Sequence, residues 1–232
     1  MSGAHASPPG LLRRYTAWSL DMTLVAAVAL LACADRIGDG GARAGDALER
    51  LAAAMAQSMF DLLAQGGSPL DLARQWLADP RHHALVTDLS SAISQAVMPP
   101  LLLACALALA WFAGWEASPR QATPGKRMLG LRVCGSGDAR VGLARAAVRH
   151  LAGTLSWLTL NVGHLLALAP PRHQALHDRI AATRVLQVAG PAPLPAWAAA
   201  WLALQCLVAF AAVAWGFVAM QSAMERALGA LL

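Results

Sequence analysis

Three apolar runs, Tyr15 to Ala34, Ala92 to Trp115 and Ala196 to Met220, decide what this chain can fold into. Each is close to the roughly 20 residues that a helix needs to cross about 30 Å of hydrocarbon. With 57% hydrophobic and 13% charged residues over 232 positions, and a mean hydropathy of +0.49, the chain is too apolar for an ordinary soluble domain. The reading is an all-α polytopic membrane protein. A fourth run, Leu151 to Ala169, contains Gly153, Thr154, Ser156, Thr159, Asn161, Gly163 and His164. A lipid-exposed span avoids that composition, and irregular backbone at membrane depth is tolerated only inside protein or a wet cavity. A re-entrant helical hairpin is the favoured expectation there and a fourth full span the alternative, so three or four transmembrane helices are expected.

Between the first two runs, Asp35 to Ser91 carries five arginines against eight acidic residues. Leu48, Leu51, Ala52, Met55, Met59, Leu62 and Leu63 fall near a three-and-four spacing, as on one face of an amphipathic helix. Gly66-Gly67 ends that helix. Ser68-Pro69 starts a shorter one, which Asp79-Pro80 stops. His82 and His83 lie in this insertion, and adjacent helical residues point apart, which disfavours a metal site. In the second run, Pro99-Pro100 marks either a helix start or a kink in a longer helix.

Charge distribution orients the chain. Glu116 to Arg149 holds seven Lys or Arg against two acids, and Arg13 and Arg14 flank the first run. Two crossings bring both basic clusters to one side, which the positive-inside rule makes cytoplasmic. The N-terminus is therefore expected inside and the 35–91 insertion outside. Within the basic segment, Met128 to Cys134 reads as a strand, Gly135 to Asp138 as a turn and Ala139 to Val141 as a short return strand. A two-stranded hairpin is barely stable alone, and Thr183 to Val188 is the other plausible strand. If these share one small cytoplasmic sheet, the run between them does not cross. Arg145 and Arg149, beside Leu143, Ala144, Ala147 and Val148, suggest an amphipathic helix on the inner surface.

The four cysteines are scattered singly and read as small packing residues. Leu30-Leu31-Ala32-Cys33 is similar to the end of a lipoprotein signal, but Asp21 interrupts the apolar region such a signal needs. Nothing matches a nucleophile with its base or a zinc or haem ligand set. The expectation is no enzyme, no metal and no cofactor, and no nucleic-acid partner.

Asp21 is the outstanding residue, because a carboxylate in hydrocarbon is costly and usually faces protein or water. Arg14 stands seven residues earlier, about 10.5 Å along the axis on nearly the same face. It can snorkel to the headgroups but cannot pair with Asp21 directly. Asp21 must find a partner elsewhere: an arginine, Lys126, hydroxyls of the 151–169 run, or a travelling cation. The late stretch HQALHDRIAATRVL contains His177, Asp178, Arg179 and Arg184, where Asp178 suits an ion pair or a helix N-cap.

Arg-Arg, an alanine and an intramembrane aspartate, then Thr123-Pro124-Gly125-Lys126 before a strand, then His-Asp-Arg ahead of Thr183 and another strand, together resemble the RDD family of small bacterial membrane proteins. The resemblance spans Arg13 to Val188. It implies Arg14, Asp21 and Asp178 as the family's arginine and two aspartates. The long insertion and the span at 196–220 lie outside the core pattern. The family is described as transport-related, so the resemblance implies a bacterial inner-membrane protein that contributes to movement of ions or small solutes. Arg14, Asp21, Lys126 and Asp178 are the candidate functional residues. Asp21 would bind a proton or cation in a cavity, with Lys126 and Asp178 at its inner mouth. Three spans make a poor pathway alone, so a homo-oligomer or a membrane-protein partner is expected, with anionic headgroups against the basic face. The alternative is a non-transporting scaffold or assembly factor.

Overall fold

The computed structural model describes residues 7–188 and 190–229. Three of its helices are long and apolar enough to cross a membrane. The first, α1 (Leu11–Ala32), passes through Cys33 into α2 (Ala34–Ala64). α3 (Pro69–Ala78) begins on a capping box in which Ser68 and Asp71 satisfy each other's free amides. α4 (Pro80–Ala117) contains Pro99 and Pro100 within one continuous helix, so the longer of the two expected arrangements is realised. A short α5 (Pro124–Met128) leads into β1 (Leu131–Gly135). α6 (Leu143–Leu158), α7 (Val162–Leu165) and α8 (Leu176–Ile180) then precede β2 (Thr183–Gln187) and the last long helix, α9 (Ala196–Gly229).

The chain divides into two compact units. One comprises the residues up to Ala29 with Leu102–Leu204. Its core joins Ala17 of α1, Ala113 of α4, Leu131 and Val133 of β1, Ala146 of α6, Val185 of β2 and Ala198 of α9. β1 and β2 pair antiparallel, with Leu131 opposite Gln187 and Gly135 opposite Thr183. The expected return strand at Ala139–Val141 does not form. The other side of β1 is taken by the preceding turn, where Val133 N donates to Gln121 O at 2.8 Å. Gly135 N to Ala139 O closes a turn that feeds α6 instead.

Because β1 and β2 pair, the chain between them leaves and returns at one place. α6 ends at a reversal where Leu160 and Asn161 adopt left-handed φ of 50° and 67°, and the four-residue α7 is far too short to cross a bilayer. The 151–169 run is therefore a folded-back hairpin and not a fourth span.

The second unit comprises Leu30–Leu101 and Gln205–Leu232. α2 meets α4 where Gly40 lies against Ala96, a contact so close that a Cβ on Gly40 would come 2.7 Å from the Ala96 Cβ. Further along, His82 Nε2 lies 3.3 Å from Ser58 Oγ, and its Nδ1 lies 3.3 Å from Asp79 Oδ2. The trio has hydrolase-like residue types, but Ser58 is buried in mid-helix and its hydroxyl donates to Ala54 O. It works as a packing latch between α2 and α4.

Candidate functional site: a buried charge frame around one aspartate

All four residues singled out from sequence lie in the first unit, and the structure sorts them into two environments. Asp178, fully buried, sits in the first turn of α8 and accepts from Ala175 N at 3.2 Å, capping its own helix. Arg14 Nη1 reaches it at 2.9 Å and Arg149 Nε at 3.0 Å. Arg14 is further fixed by donating to His173 O at 2.7 Å. Thus α1, α6 and α8 are tied through one carboxylate. Burial works to raise the Asp178 carboxyl, but Arg149, His177 and Arg14 outweigh it and hold it at about 2.

Lys126 pairs with neither Asp21 nor Asp178. It is buried against Glu116 at the end of α4. Arg149 Nη1 donates to both Glu116 oxygens, at 2.7 and 2.8 Å. Glu116 and Asp178 are therefore each held by two cations, with Arg149 common to both. Burial draws the Lys126 ammonium down against the pull of Glu116. The Arg149 guanidinium is buried too, but its two acids more than compensate and keep it charged. His177 lies with Nε2 3.4 Å from Arg149 Nη2. Burial and that guanidinium push the imidazole down to about 3, so it is neutral at pH 7.

Glu116 and Arg149 were not identified from the sequence. Glu116 had a signal, being the only acid between Asp88 and Asp138 and standing at the end of an apolar run. Arg149 was read as part of a surface helix with Arg145. In the fold Arg145 is exposed in the first turn of α6, while Arg149, one turn further along, is buried.

Asp21 is 2% exposed, and its hydrogen-bond donors among the described residues are neutral, with the Lys126 ammonium acting on it through space and not by a hydrogen bond. Gly125 N reaches its Oδ1 at 3.0 Å and Trp111 Nε1 at 3.3 Å. Its Oδ2 is buried with no hydrogen-bond partner among the described residues. The Thr-Pro-Gly-Lys segment explains the arrangement. Thr123 caps α5 by accepting from Lys126 N, Pro124 occupies the first helical position, and Gly125 presses against α1. A Cβ on Gly125 would collide with the Ala17 carbonyl and come within 2.8 Å of Asp21 Oδ2. Only glycine lets this amide reach the aspartate, so the segment serves close approach and not phosphate binding. The Trp111 ring also lines an open apolar groove of about 620 Å³ with Leu24, Val28, Leu107, Gly114 and Trp115.

The order Arg14, Asp21, Thr-Pro-Gly-Lys, Asp178 and the folded geometry agree with the comparison to protein families: the RDD family model matches residues 8–182. The chain belongs to the RDD family. It is also similar to the uncharacterized protein YxaI of Bacillus subtilis (strain 168), with 31% identity over 91 residues. That match covers 39% of this RDD protein and 60% of the relative's length. No solved structure matches.

Proposed function

We propose that this RDD protein moves protons or small monovalent cations across the membrane, with Asp21 as the exchanging carboxylate. The Arg14, Asp178, Arg149, Glu116 and Lys126 frame holds its surroundings. The observation that carries the reading is the contrast between the buried acids. Glu116 and Asp178 are each committed to two cations, whereas Asp21 is hydrogen-bonded by two neutral N–H groups and keeps one buried oxygen without a hydrogen-bond partner among the described residues. A carboxylate so placed has an open ligand position for a proton or a cation, and intramembrane acids of this kind serve proton relays. The remaining parts of the proposal are a bacterial inner membrane, a cytoplasmic N-terminus, an extracytoplasmic 35–91 insertion and a homo-oligomeric working form.

Reconstitution in liposomes loaded with a pH-sensitive dye tests this. Under sodium or potassium gradients the wild type is expected to move protons, Asp21→Asn to abolish the flux, and Asp21→Glu to retain part of it. Flux equal to that of empty liposomes under every gradient contradicts the reading. The second reading, a scaffold acting through protein contacts, is favoured by one observation: the ion frame joins α1, α4, α5, α6 and α8 into a single block. Under it, Asp21→Asn alters stability only.

A further inference from the structure

We infer that the hairpin from Leu143 to Leu168 is immersed in one leaflet of an anionic membrane, its outer face in the acyl chains and its base ringed by arginines on the lipid phosphates. The inference is independent of whether the protein transports anything.

The polarity of α6 is inverted with respect to a helix of a water-soluble domain. Its inward face carries Arg149 and Ser156 with Ala146 and Ala152, all buried. Its outward face carries Leu143, Val148, Leu151 and Leu155, all exposed. The inversion continues past the reversal, where Leu160 is 89% exposed and Val162 and Leu165 are also bare. An apolar surface of this extent in water would be a strong association site. Its depth identifies what covers it. The His150 ring stacks on Phe112 of α4 with centroids 5.1 Å apart, and Phe112 stands five residues, about 7.5 Å, inside the end of that span. Arg140 Nη2 donates to the carbonyl of Ala117, the last residue of α4, at 3.4 Å. The hairpin thus starts level with the end of a membrane span and runs alongside its last turns. α6 is about 24 Å long, too short to cross, and both ends of the hairpin return to one strand pair.

The occupant's charge follows from the base. Arg145 is exposed in the first turn of the hairpin, and Arg140, Arg172 and Arg179 are exposed in the segments entering and leaving it. The exposed acid beside them, Asp138, is already bound by Arg184 at 2.7 Å. The uncommitted surface charge there is positive, matching anionic phospholipid headgroups, which add about 1 kcal/mol of attraction per cation near the surface.

Two measurements on the full-length protein in lipid nanodiscs test the inference, with exposed Cys105 and Cys206 and half-buried Cys33 replaced by alanine. Spin labels at Leu151→Cys, Leu155→Cys and Leu160→Cys should be reached by oxygen and shielded from a water-soluble nickel chelate, with a label at Arg145→Cys showing the reverse. Labels at the leucines open to nickel, or shielded from both reagents by a second copy or another protein, overturn the inference. In the second measurement, native mass spectrometry after brief delipidation should show several-fold more retained phosphatidylglycerol than phosphatidylcholine. The combined Arg140→Gln, Arg145→Gln, Arg172→Gln and Arg179→Gln variant should lose that preference. Equal retention of both lipids by the wild type overturns the anionic part.

Discussion

Burying a carboxylate is expensive unless hydrogen bonds and countercharges replace its water, and the buried acids of this RDD protein meet that requirement differently. Glu116 is shared by Lys126 and Arg149, so Glu116→Gln strands two buried cations. We expect a loss of about 3–5 kcal/mol, the usual cost of breaking a buried pair from one side, read as a lowered Tm in detergent. Adding Lys126→Met should recover part of it, since one stranded charge is then removed. Gly125→Ala places a methyl against the Ala17 carbonyl and Asp21 Oδ2. It is expected to lower Tm and to take the Gly125 amide from Asp21, seen as faster hydrogen exchange at that amide. His177 sets a pH dependence. Its folded imidazole resists protonation down to about 3, while an unfolded one binds a proton near its ordinary 6.5, so stability is complete above 6.5 and falls as the pH drops toward 3. Asp178, held at about 2, adds a further loss between its ordinary value and that figure. Half-buried His150 and His164, lowered likewise, act in the same direction. Tm should therefore fall from pH 7.5 to 4.5, and less steeply in His177→Gln.

At the scale of elements, periodicity and punctuation made most of the helices legible. Ser68-Pro69 started α3 and Gly66-Gly67 marked the end of α2, because caps and breakers act locally. Two features were not legible, and in both a distant contact overrode the local signal. The strand expected at Ala139–Val141 lost its place beside β1 to the Gln121 carbonyl, and α6 turned its arginine inward because Glu116 and Asp178 wait there. A helical wheel gives the faces of a helix but not which one meets lipid, and in a membrane the apolar face is the outer one. Gly40 shows the same limit in the second unit, where its role depends on Ala96, 56 residues away. Gly40→Leu is expected to separate α2 from α4 there, lowering Tm and increasing protease cleavage between Asp35 and Ser91, while the β1–β2 unit retains its hydrogen-exchange protection.

At the scale of the molecule, the family's residues were recognisable one by one, but their division of labour was not. Arg14, Lys126 and Asp178 were grouped with Asp21 as one candidate site. The fold assigns the first three to a frame of ion pairs and leaves Asp21 outside those pairs, and the residue that makes the frame continuous, Arg149, carried no motif. That division is the central claim, and an infrared difference measurement on reconstituted protein addresses it directly. When sodium is stepped up at fixed pH, or the pH is stepped at fixed sodium, wild type should show a carboxyl-to-carboxylate band change that disappears in Asp21→Asn. Bands from the frame acids should stay constant over the same steps. A spectrum with no Asp21-dependent change on either step, or one in which the bands that respond belong to Glu116 or Asp178, contradicts the account.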